Sequence, residues 1–184
     1  MEISFIVPTL NEVDNITAVL GLIRDVATAE AVAYEVIFVD DSSTDGTLGA
    51  IESEGAKDSR ISLVRSPNRR GLGNALNLGV AAAKGSYAVF LDCDVSVSAP
   101  DLARLIAQRE PGEMVIGSRY LPGSKIIGAP LVKVLLSKLF NRAISASLGL
   151  WVSDSSHSLR IFPTARLPRT QLLTHPGFFW EVTS

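Results

Sequence analysis

The sequence has a single cysteine, Cys93, so no internal disulfide can staple the fold, and a reducing compartment is expected. It has no apolar run near the roughly 18 residues that cross a bilayer. Its first residues, Met1-Glu2-Ile3-Ser4-Phe5, lack the basic flank and small-residue cleavage site of a secretory leader. No internal repeat, low-complexity tract or linker breaks it up. Acidic residues are missing from Met114 to Ser153, a stretch that carries five basic ones. These absences speak against a disulfide scaffold, a membrane-spanning chain and a repeat array, and they point to a cytoplasmic protein.

What is there is a globular composition. The 184 residues are 47% apolar and 20% charged, enough to core one domain and short for two. The net charge of −2 conceals a polarity: residues 1–113 carry 9 Lys/Arg against 17 Asp/Glu, residues 114–184 carry 8 against 2. The basic part is expected either to face something anionic, such as phosphates or a membrane surface, or to be a solvated basic face.

Apolar runs alternate with helical patterns. Strands are expected at Ile3–Val7, Glu35–Val39, Ile61–Val64, Tyr87–Leu91 and Met114–Ile116. Helices are expected from an Asn11 cap to about Val26, from Asp45 to about Glu54, and over Asn74–Ala83 and Asp101–Gln108. The strands do not alternate in polarity, so both their faces are buried. That predicts an α/β fold, a Rossmann-like, mostly parallel sheet with helices on both faces. Ligands bind such sheets beyond the carboxyl ends of the strands. The unusual residues collect there: Pro8 to Glu12, Asp40-Asp41, Asp92 and Asp94. Further on, Leu131–Leu148 reads as one long helix with Lys133, Ser137, Asn141 and Ser145 on a narrow polar stripe. Its wide apolar arc, flanked by Lys138 and Arg142, suits either a membrane interface or packing on the sheet or a second subunit. Ser158–Phe162 reads as a last strand.

Asp92-Cys93-Asp94 follows the apolar Ala88–Leu91 directly. Hard divalent cations take oxygen ligands, and Mg²⁺ is commonly held by one or two carboxylates plus substrate phosphates. Cys93 is expected to point into the core. In Asp40-Asp41-Ser42-Ser43-Thr44-Asp45, helix capping accounts for Ser43, Thr44 and Asp45 but leaves the two adjacent carboxylates for a base or ribose. Arg69-Arg70-Gly71-Leu72-Gly73-Asn74 offers cations and open backbone ahead of a helix, a plausible anion site. It imitates a dinucleotide fingerprint, but Leu76 occupies the third glycine position and the segment follows the third strand, so that reading is set aside.

Val7-Pro8-Thr9-Leu10-Asn11-Glu12, Val39-Asp40-Asp41-Ser42-Ser43-Thr44-Asp45-Gly46-Thr47, Arg70-Gly71-Leu72-Gly73, Asp92-Cys93-Asp94 and Gly117-Ser118-Arg119-Tyr120 occur in one order. In that order they resemble the motifs of family 2 glycosyltransferases, above all the dolichyl-phosphate mannose synthase and polyprenyl-phosphate glycosyltransferase branch. The resemblance covers nearly the whole chain. It implies a GT-A fold, a GDP- or UDP-sugar donor, Mg²⁺ or Mn²⁺, a lipid-phosphate acceptor and inversion at the anomeric carbon. Position by position it implies that Pro8, Leu10 and Glu12 frame the base. Asp40 and Asp41 would serve base or ribose, and Arg70 and Gly71 the nucleotide. Asp92 would lie nearest the ribose and metal, with Asp94 the main metal ligand. Ser96 stands at a glutamine position that completes the metal shell. Arg119 and Arg160 would pair with diphosphate or acceptor phosphate, and Asp154 would be the base if the acceptor were a hydroxyl.

The sequence departs from that pattern in places. Leu10 stands where an aromatic residue often stacks on the base. Asp154-Ser155-Ser156-His157-Ser158-Leu159-Arg160 replaces Asp-Pro-Thr-Ser-Gly-Phe-Arg, which puts His157 at the serine and Ser158 at the glycine. Gly177–Val182 resembles the point where the family enters another helix and a basic loop. Residues 1–184 are therefore expected to be one catalytic domain lacking that later part. Three other readings stay open: saccharide elongation, a nucleotide-binding domain without activity, and a receiver-like module holding Mg²⁺ at Asp40, Asp41 and Asp92. No nucleic-acid partner is expected; peripheral contact with the cytoplasmic face of a membrane goes with the membrane-interface reading of Leu131–Leu148.

Overall fold

The structure is a computed structural model that describes residues 1–67, 71–121, 130–148, 153–154 and 157–166. In chain order the strands are β1 (Ile3–Thr9), β2 (Tyr34–Asp40), β3 (Ile61–Arg65), β4 (Tyr87–Phe90), β5 (Val115–Ile116) and β6 (Arg160–Pro163). The helices are α1 (Ile16–Ala29), α2 (Thr47–Lys57), α3 (Leu72–Ala82), α4 (Ala99–Ala107) and α5 (Leu131–Leu148). The strands form one sheet in the order β3-β2-β1-β4-β6-β5. β1 pairs parallel with β2 and β4, and β2 with β3, whereas β6 runs antiparallel to both β4 and β5.

Alternate residues of the strands feed two apolar layers, which is why the strands read as unbroken apolar runs. Ile3, Phe5, Val7, Val36, Phe38 and Val89 pack against Ile16, Val19, Leu20 and Ile23 of α1 and Leu102, Leu105 and Ile106 of α4. Ile6, Ile37, Val39, Phe90 and Phe162 face Ala75, Leu76 and Val80 of α3 on the other side. Each such large side chain contributes about 1.5–3 kcal/mol when fully buried. α3 approaches the sheet closely at Gly79, where an added Cβ would stand 2.3 Å from Ile6 Cγ2.

The order also decides against a receiver-like module, whose sheet runs 2-1-3-4-5 with parallel strands. Here β1 lies between β2 and β4, and an antiparallel strand separates β4 from β5.

Several element ends differ from expectation. α1 begins at Ile16 because Asn11 takes a left-handed φ of 57° and gives its side chain to a neighbouring loop. α2 begins at Thr47, after Gly46 at φ 100°. α4 begins earlier, at Ala99, with Ser98 as its cap accepting from the Asp101 amide at 3.3 Å. β6 starts at Arg160. α5 spans the expected residues, and of the two orientations left open it takes the one with the apolar arc outward. Asn141 of its polar stripe is buried at 1% exposure, and Ser137 of the same stripe accepts the Tyr120 hydroxyl at 2.6 Å. Leu135, Leu136 and Leu139, which packing on the sheet would have covered, are 60–69% exposed. No described helix is long and apolar enough to cross a membrane.

Candidate active site

Because β6 is reversed, its beginning lies at the same rim as the ends of β1, β2, β4 and β5. Arg160 stands opposite Phe90 and Ile116 in the sheet. The rim therefore gathers chain from the whole sequence.

The loops after β1 and β2 are laced together. The Asn11 amide donates to Ser43 Oγ at 2.9 Å, and Asn11 Oδ1 accepts from the Thr44 amide at 2.9 Å. The Glu12 amide donates to Thr47 Oγ1 at 2.9 Å, and the Val13 amide to Asp45 Oδ2 at 3.2 Å. Hydrogen bonds from Thr47, chiefly its side chain, hold Asp45 below the usual carboxylate range. Asp40 organises the second loop from inside. It is 2% exposed, and its Oδ1 accepts the amides of Ser42 at 3.0 Å and Ser43 at 2.9 Å. Its Oδ2 accepts the Ser43 hydroxyl. Asp41, also buried, reaches across to the start of α3, where Oδ2 accepts the Gly71 amide at 2.9 Å. Pro8, Leu10 and Glu12 are half-buried along the same rim, and Asn15 Nδ2 donates to Glu12 Oε2 at 2.6 Å. Arg70 lies outside the described residues.

Asp92 and Asp94 follow β4. Burial, then the negative charges of Glu12, Asp94 and Asp92, push the Cys93 thiol up to about 12, so it stays a protonated core group. Asp92 is half-buried and accepts the Ser158 hydroxyl on Oδ2. Asp94 is exposed and accepts the Ser96 amide on Oδ1 at 3.1 Å. Between them and Ser96, Val95 takes φ 54°, an unfavourable conformation for a β-branched residue and the kind of strain that gathers at functional sites. Among the described residues no group of three or more His, Cys, Asp or Glu side chains is arranged as a metal cage. Two hard carboxylates two residues apart, with Ser96 two residues further on, fit a Mg²⁺- or Mn²⁺-type ion that draws its other ligands from water and phosphate.

The other side of the rim is basic. Arg119 holds Asp154 through Nε at 2.8 Å and Nη2 at 3.0 Å, and its amide adds a bond at 3.2 Å. The Asp154 side chain is fully buried, while that of Arg119 is 41% exposed. Arg160 donates through Nε to the His157 carbonyl at 2.9 Å, and burial lowers its pKa. His157 Nδ1 accepts the Leu159 amide at 3.1 Å, which leaves the ring proton on Nε2. Burial, then Arg119, lowers the pKa of His157, whereas Asp154 and Asp92 raise it. The Ser158 hydroxyl, next to His157 in the chain, ties Asp92 to this segment.

The rim thus carries Glu12 after β1, Asp40 and Asp41 at the end of β2, and Asp92 and Asp94 after β4. Arg119 and Asp154 pair between β5 and β6, Arg160 opens β6, and the Ser158 hydroxyl ties that segment to Asp92. Two features escape a reading from residues alone. Asp154 is the sole acid from Met114 to Trp180, a signal that it partners one of the basic residues there. Ser158, noticed only as a substitute for glycine, turns out to touch Asp92.

A mostly parallel α/β sheet with acidic turns at one rim and an inserted antiparallel strand beside them defines a GT-A glycosyltransferase fold. A mannosyl-3-phosphoglycerate synthase from Rubrobacter xylanophilus has the same fold, with a TM-score of 0.66 at 19% identity over 89% of this chain and 53% of that one. A mannosyltransferase from Pyrobaculum calidifontis, solved with GDP-Man and Mn²⁺, is 31% identical with a TM-score of 0.50, over 57% of this chain and 31% of that one. The undecaprenyl-phosphate mannosyltransferase of Micrococcus luteus is 30% identical over 99% of this chain and 75% of its own length. The chain spans smaller shares, 39% and 63%, of two other curated relatives. The chain belongs to glycosyl transferase family 2, whose family model matches residues 4–165.

Proposed function

We propose that this chain transfers a hexose, from a GDP-mannose or UDP-glucose type of donor, to a polyprenyl or dolichyl phosphate with inversion at the anomeric carbon. The observation that carries the reading is the place of Asp92 and Asp94 directly after β4, where the Ser158 hydroxyl, two residues before Arg160, donates to Asp92. On this reading residues 1–184 form one catalytic domain. Pro8, Leu10, Glu12, Asp40, Asp41 and Gly71 line the nucleotide side, and Arg70 is assigned to the nucleotide from its motif alone. Asp92 and Asp94, with Ser96 near, hold Mg²⁺ or Mn²⁺, which supplies positive charge to a departing diphosphate. The similarity to a mannosyltransferase solved with GDP-Man and Mn²⁺ supports that assignment.

A lipid phosphate is already anionic and needs alignment more than deprotonation. Arg119 and Arg160 supply fork-shaped donors suited to phosphate oxygens. Saccharide acceptors need a carboxylate base, and the candidate Asp154 is buried and clamped by Arg119, which favours the phosphate acceptor. The outward apolar face of α5, with Lys138 and Arg142 flanking it, supports peripheral contact with the cytoplasmic face of the membrane that carries the lipid.

The test is a thermal-shift panel of GDP, UDP and their sugars, with and without Mn²⁺. A ligand at about 100 times its dissociation constant adds about 2.7 kcal/mol of stability. Asp94→Ala is expected to remove the metal-dependent part of the shift. An unchanged metal-dependent shift in that variant refutes the metal assignment.

A further inference from the structure

The two carboxylates of the Asp92-Cys93-Asp94 turn are supported in different ways. Asp94 is braced locally, by the amide of Ser96 two residues on. Asp92 is braced from far along the chain, by the hydroxyl of Ser158 on Oδ2. Among the described residues no protein donor reaches its Oδ1.

Both ends of that contact are held rigidly. Leu91 and Cys93, on either side of Asp92, are buried, and the Leu91 amide donates to the Ile6 carbonyl at 3.2 Å. The main chain at Asp92 therefore has little freedom, and rotation of the carboxylate is what remains to be set. Ser158 precedes Leu159, which is 3% exposed and whose carbonyl accepts the Gly117 amide at 2.9 Å. Arg160 is then fixed in the sheet opposite Phe90. The hydroxyl thus projects from a frame built into the sheet.

We propose that Ser158 is a positioning residue for Asp92: by occupying Oδ2 it sets the rotation of the carboxylate and presents Oδ1 to the cation. This rests on the reading of Asp92 and Asp94 as metal ligands. Two effects compete when the hydroxyl is removed. The carboxylate loses a donor that competes with the metal for its lone pairs, but it also loses its orientation. Orientation dominates, because partners of this kind are generally worth about 10–100-fold in metal affinity.

The experiment is a Mn²⁺ titration followed by electron paramagnetic resonance of the unbound ion, at saturating GDP or UDP. The full chain is compared with Ser158→Ala, Ser158→Thr and Asp94→Ala, and metal-free melting is recorded for each. Ser158→Ala is expected to bind Mn²⁺ about tenfold more weakly, at the lower end of that range, and Ser158→Thr, which keeps the hydroxyl, to recover most of the loss. Unchanged affinity in Ser158→Ala overturns the proposal. So does a loss that merely tracks a lowered metal-free melting temperature with no recovery in Ser158→Thr. Failure of the full chain to bind Mn²⁺, or full binding by Asp94→Ala, instead removes the metal reading itself, and the proposal with it.

Discussion

Replacing Asp40 separates two roles that a buried carboxylate at this rim could have, contacting a nucleotide or holding a loop. Its Oδ1 accepts two amides, at 3.0 and 2.9 Å, and its Oδ2 accepts the Ser43 hydroxyl. Hydrogen bonds to a charged group contribute about 1.5–3 kcal/mol each. Ser42 is exposed and Ser43 half-buried, so water replaces part of what is lost and the lower figure applies. Asp40→Ala is then expected to cost about 3 kcal/mol, the two amide bonds at about 1.5 each. Asp40→Asn keeps an acceptor oxygen for both amides; it loses the charge and the acceptor of the Ser43 hydroxyl, which can turn to accept from the new amide nitrogen, so about 1 kcal/mol is expected. For a chain of this size each kcal/mol lowers the melting temperature by about 2–4 °C. The alanine variant should melt about 6–12 °C below the parent and the asparagine variant about 2–4 °C below it. Melting followed by circular dichroism, without ligand, reads both. An alanine variant that melts with the parent refutes the loop-holding role. Equal losses in the two variants show that charge, and not the acceptor oxygen, holds the loop.

The remaining predictions concern the surface. The Arg60 side chain, hydrogen-bonded to Asp58, is the largest cause holding that carboxyl at about 2, down from 3.8. A depressed carboxyl stabilises the fold above its free value, and that contribution fades as the pH falls from 3.8 towards 2. Asp58→Asn should therefore lower the urea midpoint near neutral pH and match the parent at pH about 2. A gap that persists unchanged in acid counts against an ionic origin. Leu135→Glu combined with Leu139→Glu should weaken sedimentation with anionic liposomes at least about tenfold, since each buried leucine contributes about 1.5 kcal/mol or more. Undiminished binding removes α5 from the membrane reading.

How much was legible depends on how local the cause is. The runs Ile3–Val7 and Glu35–Val39 announce buried strands because each residue meets one apolar layer or the other. Asp92 and Asp94 were legible because a strand must end where charge begins. The start of α1 was not, because Asn11 resembles a cap but its side chain answers Thr44, 33 residues away. The reversal of β6 left no mark in its sequence, since an antiparallel strand buried on both faces looks like a parallel one. Arg119 follows the same logic. A motif marks it as phosphate-facing, while its pairing with Asp154 depends on a fold that brings together residues 35 apart. The orientation of α5 was left open for a physical reason: pattern alone does not say which face of an amphipathic helix finds a partner.

The placement of β6 also governs the order in which the molecule can be put together. β5 is made earlier, yet in the sheet it pairs with β6 and not with β4. A nascent chain up to about residue 120 can assemble the parallel half and its acidic turns, but it must leave the flank of β4 vacant. That flank is filled only when residues 160–163 emerge and slide between two strands already made. Closing so wide a loop is an entropically costly, late event. Until it happens, the apolar edge of β4 is the part of the newborn protein most in need of shelter.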